Sequence, residues 1–476
     1  LQVDDLLELF WVSCPIRDDY AGARTKAEAL MAARKVTRNF APSEWGSSEE
    51  KSSLDGLRES VIPRDAYRTM SAEELRRRYG VRRGERLCGV GLLKRHGRHG
   101  QGDRFFSTSH VAAMPMLERL DEGHRGAVGE YVGRLRELGI GPDGLDTAPV
   151  KDPVFGHNDG HLLYPERLAE FFDGDKLRQA QEALSRFLRK AFGGDSPGPY
   201  YALLQADGDH MGQIIAEQRT IEQHRALSRS ASLFARRVEP IVSRFRGSLI
   251  YAGGDDVLAL LPLHSAIEWA RTLADAFSEQ MAGFAASDPK SGETIHPTLS
   301  VGLAVVHHLE PLSEALELVR SAESYAKSVK GKNALAVTLS KRAGSERTVG
   351  GTWGDFDQRL EWFIELHRKE EIPAELGYEL RSLVMELGGA EGGPDNLLQR
   401  VLSSEVKRIL SRKRAERGSR EVSEDVIRRL VDTVTQDGLP VDHLADELII
   451  ARELASAPGA SAQSLPGVSR GEGEKR

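Results

Sequence analysis

Four acidic residues in two separate segments have the types and spacing of a metal site. Asp255 and Asp256 follow two glycines between apolar runs, and Asp207 and Asp209 end an apolar run that begins at Tyr200. Adjacent carboxylates beside buried strands repel one another unless a cation lies between them, and their oxygens suit a hard divalent ion such as Mg²⁺ or Mn²⁺. Two such ions can orient a triphosphate and stabilise the attacking and leaving oxygens. Each segment alone is typical of a turn, but together they predict nucleotidyl or phosphoryl transfer.

The acids must be positioned by strands that pair with one another. Gly253 and Gly254 predict the tight turn of a hairpin over 248–263, and they leave room for a triphosphate to approach the backbone. The apolar run upstream predicts a second strand that ends at Asp207. If these strands pair, their carboxylates meet at one end of a sheet. A separation of more than about a dozen ångströms between Asp207 and Asp256 would rule out a shared cation.

The pattern of apolar residues after residue 199 predicts a ferredoxin-like domain. In order, a strand, a long helix, a hairpin, a helix, a strand, a helix and a strand are predicted over 200–209, 211–245, 248–263, 265–284, 298–308, 313–329 and 334–339. The opening βαββαβ order is that of the split βαβ fold, with an antiparallel sheet backed by helices on one face. This order places Asp207 beside the hairpin.

The whole chain is predicted to be an α+β protein with two ferredoxin-like (palm or nucleotide-cyclase) domains, the second catalytic, and additional helical domains. A strand over 6–15 and a helix to about Arg38 indicate a first palm-like copy without paired carboxylates. The predicted boundaries are 1–50 for the start of this copy, 51–192 for its remainder with a helical domain, 193–345 for the catalytic palm, 346–456 for a C-terminal helical domain and 457–476 for a disordered tail.

Three lysines near the last of these predicted strands are candidates for phosphate binding. Lys327, Lys330 and Lys332 lie at or just beyond the end of the helix predicted over 313–329. Lysines in such a place bind phosphate oxygens that metals leave uncovered, or simply interact with the dipole at a helix C-terminus. The interpretation favours phosphate for Lys327 and the helix dipole for the other two.

Ser300, His307 and His308 lie on one predicted strand and are weaker candidates. Ser300 would either contact the nucleotide or pack in the core. One of the histidines would serve as a general base if it faced the site. Asp255 or Asp256, or no protein base at all, is the favoured alternative.

The composition restricts where the protein works. The 476 residues carry a net charge of −7, which argues against a stand-alone nucleic-acid binder. No apolar run reaches the roughly 18 residues of a membrane span, and the acidic first residues do not resemble a secretory leader. Two cysteines, Cys14 and Cys88, suit a reducing compartment. We expect a cytoplasmic protein without a membrane partner.

Several motifs together resemble one protein family. They are Tyr251-Ala-Gly-Gly-Asp-Asp-Val-Leu-Ala259, Ala206-Asp-Gly-Asp-His-Met-Gly212, Pro297-Thr-Leu-Ser-Val-Gly-Leu-Ala-Val-Val-His-His308 and Ala326-Lys-x3-Gly-Lys-Asn333. In combination they resemble the palm domain of the large polymerase/cyclase-like subunit of type III CRISPR-Cas effector complexes, which are RNA-guided antiviral systems. Phe10-Trp-Val-Ser-Cys-Pro15, Phe106-Ser-Thr-Ser109 and the segment 443–452 support the III-B (Cmr) branch and extend the resemblance over nearly the whole chain. A weaker resemblance to diguanylate cyclases implies a shared palm ancestry.

The resemblance implies an enzyme that acts once its complex binds target RNA. The palm domain would use ATP and two Mg²⁺ or Mn²⁺ ions to make 3'-5' linked, commonly cyclic, oligoadenylate messengers. By position, the metal ligands would be Asp207, the backbone of Gly208, Asp255 and Asp256, of which the last two would be catalytic. The nucleotide contacts would be Gly208, Gly253, Gly254 and Lys327, with Ser300 as a further candidate. The implied partners are the other subunits, the guide crRNA and the target RNA, mostly through neighbouring subunits.

The sequence departs from the family pattern in two places. No His-Asp pair of an HD nuclease precedes the first predicted palm, so we expect no single-stranded DNA cleavage by this chain. Many relatives also carry two zinc-binding Cys-x2-Cys pairs, but here Ser52, Asp55 and Gly91 stand in place of three cysteines and leave Cys88. Zinc is not expected, because one thiolate and one carboxylate cannot complete a tetrahedral structural site.

Other functions fit the same residues. The chain would act as a scaffold if its palm bound nucleotide without turnover, or as a related nucleotidyltransferase if it joined ATP to S-adenosylmethionine. A guanylate-using cyclase differs from these in accepting GTP alone. The ring size of an oligoadenylate product, and whether it is linear or cyclic, stay open.

Overall fold

The chain divides into two compact units. The computed structural model describes residues 2, 9–17, 19–37, 46–96, 105–145, 147–288, 291–342, 344–386, 397–412 and 422–457. One unit comprises Leu1–Arg104 with Gln218–Gln223, and the other comprises Phe105–Glu217 with His224–Arg476. Among the described helices, none combines the length and apolar character needed to cross a membrane.

The first unit is built from helices around a small core. The helices are α1 (Tyr20–Val36), α2 (Arg64–Thr69), α3 (Ala72–Tyr79) and α4 (Gly89–His96). The core consists of Ile62, Ala66, Leu75, Val81 and Leu87. The helix predicted to end near residue 38 is confirmed as α1, which carries Arg34 and Lys35 in its last turn, where cations suit the helix dipole.

The strand predicted over 6–15 is wrong where the structure describes it, from residue 9 onward. That segment forms no strand, and it exposes Leu9 and Trp11 to solvent. A strand needs a neighbour to satisfy its backbone groups, and the described residues before Tyr200 contain isolated bridges but no strand. A first palm-like domain is therefore not found in the part of the chain that the structure describes.

Two short segments of the first unit meet at Asp55 and Cys88, two of the positions considered above for a zinc site. The thiol of Cys88 donates to Asp55 Oδ2 at 3.7 Å, and the Gly91 N–H donates to Cys88 Sγ at 3.4 Å. The buried Ser52 accepts a hydrogen bond at its Oγ from the Leu54 N–H at 3.3 Å. Ordinary hydrogen bonds thus link Asp55, Cys88 and Gly91, and the expectation that these positions bind no zinc stays a prediction.

The second unit combines one main sheet with many helices. Its strands are β1 (Tyr200–Gly208), β2 (Ser248–Gly253), β3 (Asp256–Leu261), β4 (Ala286–Ser287), β5 (Thr294–Ile295), β6 (Leu299–His307), β7 (Ala334–Leu339) and β8 (Arg347–Thr352). The helices before the sheet are α5 (Thr108–Leu117), α6 (Arg125–Leu138), α7 (Pro142–Leu145), α8 (Pro165–Leu168) and α9 (Gly174–Phe192). Those within it are α10 (Met211–Glu217), α11 (Ile221–Arg244), α12 (Ala266–Met281) and α13 (Leu312–Ser328). Those after it are α14 (Phe356–Arg368), α15 (Leu376–Glu386), α16 (Leu397–Arg412), α17 (Glu424–Thr435) and α18 (Val441–Ala455).

The six-stranded sheet has the order β2-β3-β1-β6-β7-β8. β1 lies antiparallel between β3 and β6, and β2 is antiparallel to β3. These four strands, connected through α10 to α12, have the arrangement of the split βαβ plan, so the predicted ferredoxin-like order is confirmed. After β6, α13 leads to β7, which lies parallel to β6.

The last strand of the sheet was not predicted. β8 pairs antiparallel with β7, so the palm sheet extends beyond the predicted boundary at residue 345. The glycine-rich sequence around β8 has low strand propensity. Its glycines are needed for close packing, because a Cβ on Gly350 would lie 2.8 Å from the backbone oxygen of Leu335.

Helices cover both faces of the sheet, whereas one face was predicted. On β1, Leu204 faces a core that contains Trp269 of α12, and its neighbour Leu203 faces a second core that contains Phe187 of α9. Strands with apolar side chains at consecutive positions require cover on both faces. The first core also contains Leu448 of α18, so this C-terminal helix packs against the palm sheet, and the boundary predicted for a helical domain over 346–456 stays a prediction.

Candidate active site

Asp207 and Asp256 come directly after the last paired residues of two adjacent strands. The register of β1 and β3 pairs Ala206 with Val257, so the next position toward the turn places Asp207 across from Asp256. Cα atoms of such antiparallel pairs are about 5 Å apart, and paired side chains point to the same face of a sheet. The two segments that the sequence analysis singled out therefore converge, well within the separation that a shared cation allows.

Asp255 lies against the end of β1. A Cβ built on Gly208 would be 2.8 Å from both Cβ and Oδ2 of Asp255, and 2.7 Å from Cγ of Met211. Only a glycine at residue 208 lets the turn approach so closely. Gly254 takes a left-handed backbone conformation with φ of 73°, which lets the hairpin reverse direction and present Asp255 to β1.

Lys327 brings a positive charge to the carboxylates. Its Nζ donates to Asp207 Oδ2 in an ion pair, and lies 3.1 Å from Glu323 Oε1. Glu323 and Lys327 are four residues apart on α13, so both project from the same side of the helix. Lys327 and Asp207 keep 30% and 29% of their side-chain surfaces exposed, so a ligand can reach them.

A glycine on β6 sets the height of α13 above the sheet. A Cβ on Gly302 would lie 2.8 Å from Cα of Glu323 and 2.8 Å from the carbonyl carbon of Ala322. Because Gly302 carries no side chain, the helix backbone rests directly on the strand. Gly302 pairs with Gln205 of β1, two residues before Asp207, so this contact places the side of α13 that carries Glu323 near the Asp207 end of β1.

Asp209 lies in a buried network of hydrogen bonds. It is fully buried, and its carboxylate accepts hydrogen bonds from the hydroxyls of Thr298 and Ser300 at 2.8 and 2.9 Å and from the Asn333 backbone N–H at 3.0 Å. These bonds hold the turn before β7, in which Lys332 and Asn333 both have positive φ. Asp209 thus organises the loop beside the site.

Ser300 does not have the placement expected of a nucleotide-binding residue. Its side chain is fully buried, and its hydroxyl is directed at Asp209. Of the two roles considered for Ser300, the structure favours packing in the core. Lys330 is exposed just after the end of α13, and the interpretation that assigned it no phosphate contact stays a prediction.

The two histidines lie at the far end of the sheet. His307 pairs with Tyr200, while Asp207 pairs with Ser300, so seven residues of strand separate the histidines from the acids. At about 3.4 Å per residue this is more than 20 Å. His308 Nδ1 lies 2.8 Å from the Ser109 hydroxyl. A general-base role for either histidine at this site is therefore wrong.

The segment that carries these residues matches a known domain family. The family model for the second palm domain of Cas10/Cmr2 matches residues 200–336. Over this range the chain is similar to the second palm domain of that family. The segment contains all the predicted metal ligands, the glycine hairpin and Lys327, and it includes β1, β2, β3 and β6 of the six-stranded sheet.

Relatives extend the similarity beyond the palm domain. The chain is 30% identical over 247 residues to the CRISPR system Cmr subunit Cmr2 of Pyrococcus furiosus, an alignment that covers 46% of this chain and 25% of that protein. The fold resembles the cryo-EM structure of a type III-B Cmr-beta complex bound to cognate target RNA, with a TM-score of 0.57, 13% identity, and coverage of 92% of this chain and 62% of that one. The apo state of Cmr-beta gives a TM-score of 0.52 at 12% identity, with coverage of 93% and 62%. The chain thus spans less than two thirds of the length of these proteins.

The acidic end of the palm domain is short of positive charge. Burial raises the pKa of Asp255, and the neighbouring charge of Asp256 raises it further. The pKa of Glu323 is also raised, first by burial and then by the charges of Asp209 and Asp256. Burial, with the charge of Lys332, lowers the pKa of Lys327. A bound cation would relieve the repulsion among these carboxylates.

The palm carboxylates suit a divalent ion by their chemistry. Asp207, Asp255 and Asp256 offer the hard oxygen ligands that Mg²⁺ and Mn²⁺ prefer. In their present rotamers, the described residues form no group of three or more His, Cys, Asp or Glu side chains arranged to hold a metal. The Lys327 ammonium provides the positive charge at Asp207 instead, which indicates that a cation fits there.

Sequence reasoning missed two residues of the palm site. Glu323 lies one helical turn before Lys327, a spacing that could have identified it. Tyr251 is 54% exposed on β2, and its ring lies across Gly253, where any Cβ would collide with it. The apolar pattern gave no reason to separate Tyr251 from the hydrophobic strand residues around it.

Proposed function

We propose that the palm domain is a metal-dependent nucleotidyltransferase that converts ATP into oligoadenylates. One observation carries this proposal: β1 and β3 pair as far as Ala206 and Val257, so Asp207 and Asp256 follow at the same end of the sheet, with Asp255 packed against Gly208. Carboxylates from two strands on one sheet end are the ligand set for catalysis by two ions, which would activate the attacking hydroxyl and stabilise the departing pyrophosphate.

The residues of the chain have distinct tasks in this proposal. Asp207, Asp255 and Asp256, with the backbone of Gly208, hold the ions. Gly253 and Gly254 keep the hairpin free of bulky side chains where the triphosphate approaches the backbone. Lys327 binds phosphate oxygens, because its flexible ammonium lies at the edge of the same acidic cluster.

We further propose that the chain works as a subunit of a type III-B CRISPR complex. The similarity to Cmr2 and the shared fold with a Cmr-beta complex bound to target RNA support this assignment. Guide crRNA and target RNA would then act on the palm mostly through neighbouring subunits. The net charge of −7 agrees with a chain that does not bind RNA on its own. Such a complex would work in the cytoplasm.

A product assay tests the proposal. The chain is assembled with its partner subunits, guide and target RNA, and incubated with labelled ATP and Mg²⁺ or Mn²⁺. Oligoadenylate formation that depends on the metal is the expected result. Conversion of ATP no higher than background would instead indicate a scaffold. Parallel reactions with GTP alone, and with S-adenosylmethionine added to ATP, separate a guanylate cyclase and an adenylyl conjugate from the proposed product.

A further inference from the structure

We infer that Lys327 is a displaceable counter-cation of the metal site, and that Glu323 is a positioning residue that retains the Lys327 ammonium when Asp207 binds a divalent ion. This inference rests on the proposed function, because it takes Asp207 as a metal ligand. It adds a role for Glu323 and an antagonism between a lysine and the metal.

The first support is the position of the ammonium. Lys327 Nζ is paired with a carboxylate oxygen of Asp207. A divalent ion bound to the same carboxylate would come within a few ångströms of Nζ, and two cations at such a distance repel strongly in a partly buried site. Metal binding at Asp207 and the ion pair with Lys327 therefore oppose each other.

The second support is a ready place for the released ammonium. Glu323 Oε1 lies 3.1 Å from Lys327 Nζ, and Glu323 is a buried residue with 8% exposure. Its backbone cannot withdraw toward the sheet, because it already rests on Gly302. Glu323 thus places a carboxylate one helical turn before Lys327, within ion-pair distance of the same ammonium that contacts Asp207.

The arrangement has a consequence for the order of events. Without metal, Lys327 neutralises Asp207 and limits repulsion within the acidic cluster. When a divalent ion takes Asp207, the ammonium keeps its contact with Glu323 and becomes available to phosphate oxygens. By linkage, an interaction that stabilises the state in which Lys327 is away from Asp207 also favours metal binding at Asp207, by the same free energy.

Mn²⁺ binding to the full chain, measured without nucleotide by titration calorimetry or by electron paramagnetic resonance, tests the inference. Lys327→Met removes the competing charge, so we expect Mn²⁺ to bind about three- to tenfold more tightly. Glu323→Gln leaves the ammonium on Asp207, so we expect Mn²⁺ to bind about two- to fivefold more weakly. Lys330→Met is the matched control, since it removes the same charge at an exposed position and should change the affinity less than Lys327→Met.

The double variant separates positioning from direct ligation. If Glu323 acts through Lys327, adding Glu323→Gln to Lys327→Met leaves Mn²⁺ affinity at the value of Lys327→Met alone. An equal loss in both backgrounds would make Glu323 a metal ligand and overturn the inference, as would unchanged Mn²⁺ affinity in Lys327→Met. Thermal unfolding of each variant confirms that it is folded. Absence of Mn²⁺ binding in every variant and in the native chain would instead contradict the proposed function.

Discussion

Gly302 of β6 lies directly beneath the backbone of Glu323 in α13. A Cβ at residue 302 would be 2.8 Å from Cα of Glu323, a distance that real Cβ atoms essentially never show. The contact joins the palm sheet to the helix that carries Lys327. The position of Lys327 next to Asp207 therefore depends on the residue at position 302 of the strand beneath the helix.

Gly302→Ala tests this dependence. The added methyl group must push α13 away from the sheet, so we expect a loss of about 1–3 kcal/mol in the free energy of unfolding and a larger fractional loss of ATP turnover. Denaturant unfolding and the product assay measure the two effects. Gly133→Ala on α6 is the control, because a Cβ there meets no atom within 4 Å. ATP turnover at the native rate in Gly302→Ala would show that activity does not depend on the distance between α13 and the sheet.

Gly208→Ala should inactivate the palm without unfolding it. The new Cβ would collide with the side chains of Asp255 and Met211 and displace a metal ligand, so we expect turnover to fall by about a hundredfold or more. Side chains at the site edge can move, so the melting temperature should change by only a few degrees. Turnover within a few-fold of the native rate would contradict the close contact between β1 and the turn.

Asp209→Ala should act on stability first. The variant leaves the Ser300 hydroxyl and the Asn333 N–H without their buried acceptor, so we expect a loss of about 2–4 kcal/mol. Ser300→Ala removes one donor and should cost roughly 1 kcal/mol. Ser321→Ala, at an exposed helix position whose hydroxyl bonds only to the Glu317 carbonyl among the contacts described, should be within about 0.5 kcal/mol of the native chain. Denaturant unfolding of the three variants and of the native chain measures these differences in the free energy of unfolding.

Asp255→Asn should stabilise the metal-free protein at neutral pH. Burial and the charge of Asp256 raise the pKa of Asp255 above its usual 3.8, so the folded state binds this proton more tightly than the unfolded state. The free energy of unfolding of the native chain therefore falls as the pH rises from about 3.8 through the raised pKa.

Asp255→Asn carries no charge at this position. We therefore expect its free energy of unfolding near pH 7, in a chelator, to exceed that of the native chain by roughly 0.5–2 kcal/mol, as is common when a strained functional residue is neutralised. The gain should shrink at acidic pH, where Asp255 is protonated in the folded native chain. Thermal unfolding across the pH range measures it. A gain that is equal at pH 7 and at pH 3.5 would show that the charge is not the cause.

The sequence predicted the convergence of the acids, because it depends on local patterns. A strand ending at Asp207 and a glycine hairpin ending at Asp256 fix two strand ends, and the βαββαβ order makes those strands neighbours. The same reasoning could not separate Asp207 from Asp209. Which of them is buried depends on the turn at Asn333, more than a hundred residues later.

The missed features share a dependence on long-range packing. β8 is rich in glycine, and the missing side chains let its backbone approach β7 closely. Glu323 matters only because Gly302 lets α13 rest on β6. The strand predicted over 6–15 has the composition of a strand, but from residue 9 onward it has no partner in the described structure. Composition indicates what a segment can form, and the available neighbour decides what it does form.

The most direct test of the account is the conversion of labelled ATP by the assembled complex with target RNA and Mn²⁺, comparing the native chain with Asp255→Asn/Asp256→Asn. The account predicts that the double variant still assembles and binds target RNA, but yields no oligonucleotide product above background, while the native complex yields product that disappears with a chelator. Equal product from the two complexes would contradict the assignment of the hairpin carboxylates to catalysis.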